Sequence, residues 1–206
     1  MTFDTLNLHP KILQAVVKAG YSKPTKIQLD AIPEILKGSD LRASAQTGTG
    51  KTAAFLLPAL NRLMNPPINA SKGPRILVLV PTRELAMQIA TQTEKYSKYL
   101  SQVKTVCVVG GVPYPAQVRK LSRPYDVLIA TPGRLIDYID RGKIDFSRLE
   151  MLVLDEADRM LDMGFVDPVK KIASCTPSSR QTLLFSATLQ GIVIKLSEAL
   201  LKIPVK

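Results

Sequence analysis

The alternation of short apolar runs with helical stretches is the feature that most restricts the fold of this chain. Strands buried on both faces consist of unbroken apolar residues, and their regular alternation with helices indicates a parallel sheet. The apolar runs cover residues 75–80, 105–109, 127–130, 151–155 and 182–186, and the helical stretches cover residues 84–100, 115–121, 134–140, 167–173 and 190–201. The sequence therefore predicts an α/β fold with a parallel sheet between helices.

The first part of the chain adds helices over residues 8–19, 25–36 and 51–64 and a strand over residues 41–45. That strand is weakly marked, because Arg42 and Ser44 interrupt its apolar pattern. In open parallel sheets, ligands bind beyond the carboxyl ends of the strands. Polar segments follow the strands directly here, so we expect them to converge on one edge.

One of these segments resembles a phosphate-binding loop running into a helix. It consists of Ala45, Gln46, Thr47, Gly48, Thr49, Gly50, Lys51 and Thr52. The glycines allow successive N–H groups to point at an anion, and the helix that follows directs its positive end to the same point. Lys51 would bind the terminal phosphates and Thr52 a Mg²⁺ ion. Ala45 departs from the pattern G-x-x-x-x-G-K-[ST], and the alternative interpretation is a glycine-rich turn.

A second polar segment, Asp155-Glu156-Ala157-Asp158, ends the apolar run that begins at residue 151. Carboxylates beside a phosphate loop suit Mg²⁺-assisted phosphoryl transfer. We assign Asp155 to the metal and Glu156 to the attacking water. The alternative is an acidic helix cap.

Arginines follow two further strands, at the starts of helices. Helix N-termini combined with Arg side chains form phosphate-binding sites, and paired glycines allow a backbone to approach closely. These segments are Pro81-Thr82-Arg83, Thr131-Pro132-Gly133-Arg134 and Gly110-Gly111. Capping accounts for Thr131 and Pro132, but it does not account for an arginine at each site.

Together these motifs resemble the amino-terminal, RecA-like domain of the DEAD-box RNA helicases of superfamily 2, and the likeness extends over the whole chain. The family commonly has alanine where this chain has Ala45. Residues 20–28 are similar to its Q motif, which implies that Gln28 contacts adenine and that Tyr21 stacks on the base. Phe3 is a candidate for a further upstream aromatic. Without the resemblance, Gln28 would be interpreted as a solvated helix residue.

The resemblance also implies roles for the other motifs. The segments with Arg83, Gly111 and Arg134 would contact the sugar–phosphate chain of single-stranded RNA. Ser186-Ala187-Thr188, otherwise a helix cap, would couple hydrolysis to RNA binding through Asp158. The cofactors implied are ATP and Mg²⁺.

Family members carry a second domain in cis, and no His-Arg-x-Gly-Arg segment occurs in this chain. We therefore expect residues 1–206 to be the amino-terminal half of a helicase, and the short leading segment suggests a bacterial protein. Alone it should bind nucleotide weakly, hydrolyse it poorly and unwind no duplex, since arginine fingers contribute roughly 10³–10⁵ in rate.

The composition is compatible with this interpretation. An excess of 28 Lys and Arg over 17 Asp and Glu gives a net charge of +11, which suits a polyanion but also a generally basic surface. Aromatic residues make up 5% and Trp is absent, which favours contacts to the nucleic-acid backbone over base stacking. The apolar runs are short, the sequence shows no signal pattern, and the two cysteines are distant from each other. These features predict a cytoplasmic protein without a membrane span. We expect a monomer.

Two other functions fit some of the same residues. A P-loop kinase would share the phosphate loop, although the Asp155-Glu156 pair favours water as the acceptor and the arginines favour a polymer. A non-catalytic adaptor would not need Lys51 and Glu156. Salt-sensitive RNA binding distinguishes the first alternative, and absence of ATPase activity with a partner domain present would favour the second.

Overall fold

Within residues 2–202 and 204–205, which the computed structural model describes, six parallel strands form one sheet in the order β1-β6-β5-β2-β4-β3. The strands are β1 (Leu41–Ser44), β2 (Ile76–Leu79), β3 (Thr105–Val108), β4 (Val127–Ala130), β5 (Met151–Leu154) and β6 (Gln181–Ser186). The helices are α1 (Pro10–Lys18), α2 (Lys26–Leu36), α3 (Lys51–Arg62), α4 (Arg83–Tyr96), α5 (Tyr114–Leu121), α6 (Pro132–Asp140), α7 (Ala157–Asp162), α8 (Val166–Ser174) and α9 (Gly191–Leu200). The predicted α/β fold is confirmed.

The apolar runs form the interior of the sheet because strands in the middle are covered on both faces. In β2, β4 and β5 every residue is buried. Ile76 aligns with Val127 on one side and with Met151 on the other. The weakly marked strand β1 lies at an edge, where polar residues are tolerated, and its Arg42 donates from Nη1 to Ser197 Oγ over 2.9 Å.

Successive strand residues point to opposite faces and so supply two separate cores. Ile76 and Val78 belong to the core that α1, α2, α3 and α4 cover. Leu77 and Leu79 belong to the core on the other face, which α5 to α9 cover. Each face is therefore closed by helices, as a parallel sheet requires.

Two features differ from the sequence-based expectations. The six-residue helix α7 follows the acidic segment directly, and it is too short to show a helical period. Phe3 lies in a short 3₁₀ helix, Phe3–Leu6, and is buried in the core beside α2. It does not line the cavity described below. No helix among the described residues is both long and apolar enough to cross a membrane.

Candidate active site at the carboxyl edge of the sheet

The strand order arranges the predicted motifs along one edge of the sheet. All strands are parallel, so every segment that follows a strand emerges at the same edge. The edge begins with the phosphate loop after β1, continues with Ser186–Thr188 after β6 and the acidic segment after β5, and ends with the segments that follow β2, β4 and β3. The expected convergence is thus present in the structure.

The phosphate loop has the backbone conformation that its glycines permit. Gly48 and Gly50 have φ values of +83° and +88°, and Gly50 caps the N-terminus of α3. A Cβ on Gly48 would meet nothing within 4 Å, whereas a Cβ on Gly50 would lie 2.6 Å from Gln28 Nε2. Gly50 is therefore required both by its conformation and by its close approach to the Q-motif segment.

Lys51, at the first position of α3, points into the sheet edge and contacts both acidic residues. Its Nζ lies 2.9 Å from Asp155 Oδ1 and 3.8 Å from Glu156 Oε1. Lys51 is 6% exposed and Asp155 is fully buried. Burial raises the pKa of Asp155, while the charge of Lys51 and their hydrogen bond oppose that rise. Lys51 and Asp155 accordingly form a buried pair at the edge of the sheet.

The second oxygen of Asp155 tests whether this site suits a divalent cation. Asp155 Oδ2 is buried and makes no hydrogen bond with the described residues. Mg²⁺ is usually held by one or two carboxylates, waters and substrate phosphates, so a full protein cage is not needed. The described residues contain no group of three His, Cys, Asp or Glu that could hold a metal alone. This carboxylate oxygen lies beside the phosphate loop and is a suitable ligand for a magnesium ion that also binds the phosphates of a nucleotide.

Glu156 occupies a strained backbone position. It has φ 52° and ψ 50°, a left-handed conformation that costs a non-glycine residue of order 1–3 kcal/mol. Its N–H donates to Asp155 Oδ1 over 2.9 Å, and its carboxylate lies 3.6 Å from Arg159. Although Glu156 is the N-cap residue of α7, its side chain makes no capping hydrogen bond. The Glu156 carboxylate therefore does not cap α7 and lines the cavity instead.

Gln28 is buried and hydrogen-bonded, whereas the helix pattern alone indicates a solvated residue. It is 5% exposed, its Oε1 accepts from the Thr25 N–H over 3.0 Å, and its Nε2 donates to the Gly50 oxygen over 3.0 Å. The spacing Thr25-x-x-Gln28 matches a capping box, so the first contact could have been found in the sequence. The second contact joins the Q-motif segment to the phosphate loop.

A cavity of about 460 Å³ extends from the Lys51 and Glu156 end of the site to Tyr21. The predicted residues that line it are Tyr21, Gln28, Thr47, Gly48, Gly50, Lys51, Thr52 and Glu156. Residues to which the sequence analysis gave no role also line it: Lys23, Thr25, Ala53, Leu85, Gln88, Ile89, Gln92 and Tyr96. Ala45, Gln46 and Thr49 border a neighbouring cavity on the other side of the loop. The wall formed by α4 had no sequence signal, because helical periodicity does not show which loop a helix faces.

The arginines that follow β2 and β4 approach the same short segment. A Cβ on Gly111, which has φ +74°, would lie 2.5 Å from Arg83 Nη1. Arg134 Nη1 donates to the Val112 oxygen over 3.4 Å. Among the described residues, neither guanidinium forms an ion pair with a carboxylate. Two uncompensated cations therefore flank the glycine segment after β3.

A threonine precedes the helix that carries each of these arginines, but only Thr82 caps its helix. Thr82 precedes α4 and accepts from the Leu85 N–H over 3.3 Å. Thr131 occupies the corresponding position before α6, with Pro132 as the first helical residue, but its side chain makes no capping hydrogen bond. The Thr131 hydroxyl thus does not cap α6.

Asp158 joins the acidic segment to the segment after β6. Its N–H donates to Ser186 Oγ over 3.3 Å. Its Oδ2 accepts from the Thr188 N–H over 3.2 Å and from the Thr188 hydroxyl over 3.3 Å. Both residues suggested as partners of Asp158 therefore contact it, whereas the neighbouring Ala187 contributes no polar side chain.

Comparison with known proteins identifies a family and relatives that match this chain. The family model described as "DEAD/DEAH box helicase" matches residues 25–196. The ATP-dependent RNA helicase DeaD of Mycobacterium tuberculosis (strain ATCC 25618 / H37Rv) is 48% identical over 203 residues, which cover 98% of this chain and 35% of that protein. The ATP-dependent RNA helicase SrmB of Escherichia coli (strain K12) is 47% identical over 206 residues, which cover 100% of this chain and 46% of that protein.

A solved structure shares the fold. The crystal structure of a hypothetical ATP-dependent RNA helicase from Sulfolobus tokodaii superposes with a TM-score of 0.87 at 37% identity, covering 96% of this chain and 56% of that one. The sheet is accordingly RecA-like. The chain spans about a third to a half of the length of these curated relatives. Its motifs, its fold and its match to the family model show that this chain belongs to the DEAD/DEAH box helicases.

Proposed function

We propose that residues 1–206 form the amino-terminal, ATP-binding half of an ATP-dependent RNA helicase, a RecA-like domain that works with a second such domain in cis. The observation that carries this proposal is the Lys51–Asp155 pair, 2.9 Å apart, beside a cavity that Tyr21 and Gln28 also line. A phosphate-binding lysine, a carboxylate with an orphaned oxygen and an aromatic ring are the groups that a nucleoside triphosphate needs.

ATP would bind with its phosphates on the loop and its base beside Tyr21. The N–H groups of the glycine loop and the N-terminus of α3 favour negative charge. Lys51 would exchange part of its contact with Asp155 for the terminal phosphates. The base edge would meet Gln28, whose amide retains one N–H and one oxygen lone pair beyond its two contacts.

Hydrolysis would use the two acidic residues in different roles. Thr52 and Asp155 are the residues that would hold a Mg²⁺ ion, which when bound neutralises charge on the phosphates. Glu156 would orient the attacking water and accept its proton. Its left-handed backbone and its N–H bond to Asp155 Oδ1 fix the direction of its carboxylate.

RNA would bind along the other half of the same edge. The cations of Arg83 and Arg134, together with the backbones of the glycine and TPG segments, suit the phosphates of a single strand. Such contacts position a strand without reading its sequence. In the complete protein, closure of two domains on ATP and RNA would bend one strand and expel its complement.

Coupling of hydrolysis to RNA binding would use Asp158 and its bonds to Ser186 and Thr188. These contacts connect the segment after β6 to the acidic segment that holds Glu156. We also propose that the complete protein acts as a cytoplasmic monomer. Both cysteines are free thiols, as expected for a reducing compartment.

ATPase measurements on a protein that joins residues 1–206 to a second RecA-like domain test the proposal. We expect RNA to stimulate hydrolysis, and Glu156→Gln to lower kcat by about 10²–10⁴ because a positioned base is removed. Glu94→Gln, on the exposed side of α4, is the matched control and should leave kcat unchanged. Efficient RNA-stimulated turnover by residues 1–206 alone, or normal kcat in Glu156→Gln, contradicts the proposal.

A further inference from the structure

Helix α4 supports the Tyr21 ring from two sides. The ring centroids of Tyr21 and Tyr96 are 6.4 Å apart and tilted by 48°, and the Lys95 Nζ lies 5.1 Å from the Tyr21 centroid. Lys95 and Tyr96 form the last turn of α4, while Tyr21 follows the end of α1. Two elements that are distant in sequence therefore meet at this ring.

The three side chains differ in their exposure in a way that suggests separate roles. Tyr96 is 3% exposed and Tyr21 is 43% exposed. Both tyrosines line the nucleotide cavity, but Lys95 does not. The Lys95 ammonium thus approaches the ring from outside the cavity, and the side of the ring that lines the cavity stays available to a ligand.

The environment of Tyr96 fits a fixed support rather than a ligand-binding group. Burial raises the pKa of its phenol, and the adjacent Tyr21 phenol raises it further. Tyr96 therefore remains a neutral hydroxyl throughout the physiological range. A buried neutral phenol contributes packing area and one polar contact without rotating toward solvent.

We propose that Tyr96 and Lys95 are positioning residues that hold the Tyr21 ring as a platform for the nucleotide base. This inference rests on the proposed nucleotide site and adds the residues that order its base-binding end. An exposed ring in a loop would lose rotamer freedom on stacking, so a ring fixed beforehand binds a base at a lower entropic cost. The support consists of a cation on the outer side of Tyr21 and a buried ring at its edge.

The test compares ATP with ribose 5′-triphosphate, which keeps the phosphates and the sugar but lacks the base. Isothermal titration of the 206-residue chain gives Kd for both ligands. Lys95→Met and Tyr96→Leu should each weaken ATP binding by about two- to fivefold, the range that corresponds to one cation–π or aromatic contact. Binding of ribose 5′-triphosphate should not change.

The chain offers a matched control three residues further along. Lys98 Nζ lies 5.9 Å from the Tyr99 centroid, and neither residue lines the cavity. Lys98→Met and Tyr99→Leu remove the same chemical groups and should leave both Kd values unchanged. In a Tyr21→Ala background, Lys95→Met should cause no further loss of ATP affinity, because the ring that it supports is gone.

Each result either supports the positioning role of Lys95 and Tyr96 or rejects it. Unchanged ATP binding in both variants, or equal losses for ATP and ribose 5′-triphosphate, overturns the positioning role while the proposed nucleotide site stands. Failure of the unmodified chain to bind either ligand overturns the proposed site and the positioning role together. Because Lys95 is exposed, its variant separates these results from a folding defect of the buried Tyr96.

Discussion

Substitution of Gly50 by alanine measures how strongly the phosphate loop depends on the Q-motif segment. Gly48 and Gly50 share nearly the same positive φ, so alanine at either position should cost about 1–2 kcal/mol of backbone strain. Only at Gly50 does the added Cβ meet a neighbour, at 2.6 Å from Gln28 Nε2 and 2.9 Å from Thr25 Oγ1.

The additional cost at Gly50 follows from the hydrogen bonds that must break. Gln28 makes two, to the Gly50 oxygen and from the Thr25 N–H, each at 3.0 Å. At about 0.5–1.5 kcal/mol net for each bond, displacement of the amide costs about 1–3 kcal/mol. Gly50→Ala should thus lower the free energy of unfolding by about 2–5 kcal/mol, against about 1–2 kcal/mol for Gly48→Ala.

Urea denaturation followed by circular dichroism provides the measurement, since the midpoint and slope give the free energy of unfolding. A double-mutant cycle adds the decisive comparison: in a Gln28→Ala background, Gly50→Ala should cost little more than Gly48→Ala does. Equal destabilisation by Gly48→Ala and Gly50→Ala in the unmodified chain would show that the contact with Gln28 does not hold the loop.

Two further predictions concern the other motifs on the edge. Gly111→Ala should displace the Arg83 guanidinium, since the new Cβ would lie 2.5 Å from Nη1. In RNA binding at several salt concentrations, Gly111→Ala and Arg83→Met should each lower the slope of log K against log salt by about 0.7, and an unchanged slope in both would place Arg83 outside the RNA site. Asp158→Ala and Thr188→Ala should show a coupling energy of about 0.5–3 kcal/mol in unfolding, and additive losses would argue against their contact.

The sequence was sufficient for the fold because the two cores place strict demands on the strands. The buried strands β2, β4 and β5 appear in the sequence as unbroken apolar runs, and the helices between them carry apolar residues at helical spacing. The sequence was less informative for β1, the strand at one side of the sheet, because Arg42 and Ser44 interrupt its apolar pattern. The short helix α7 carried no period long enough to recognise.

At the site, local motifs predicted which residues gather but not how they contact one another. Lys51 and Asp155 were assigned separate roles, and only the structure shows that they pair in a buried place. Gln28 was assigned to the base, yet two of its bonds lie within the protein. Such contacts depend on the distance between elements far apart in sequence, which no local pattern specifies. The α4 wall with Tyr96 was missed for the same reason.

The strand order explains why one edge has room for both proposed ligands, the nucleotide and the RNA strand. Consecutive strands β1 and β2 do not pair, because β6 and β5 lie between them. The phosphate loop and Glu156 therefore occupy one half of the edge, while Arg83 follows β2 into the other half. The last strand, β6, enters beside β5 in a register that aligns Leu154 with Leu184.

That register brings the segment after β6 level with the acidic segment, so that Ser186 and Thr188 reach Asp158. A shift by one residue would turn every side chain of β6 to the opposite face and remove these bonds. The bonds between Asp158 and the segment after β6 thus depend on the β5–β6 strand pair. Since both strands are fully buried, the hydrophobic cores that fix the register also maintain the proposed link between nucleotide and RNA.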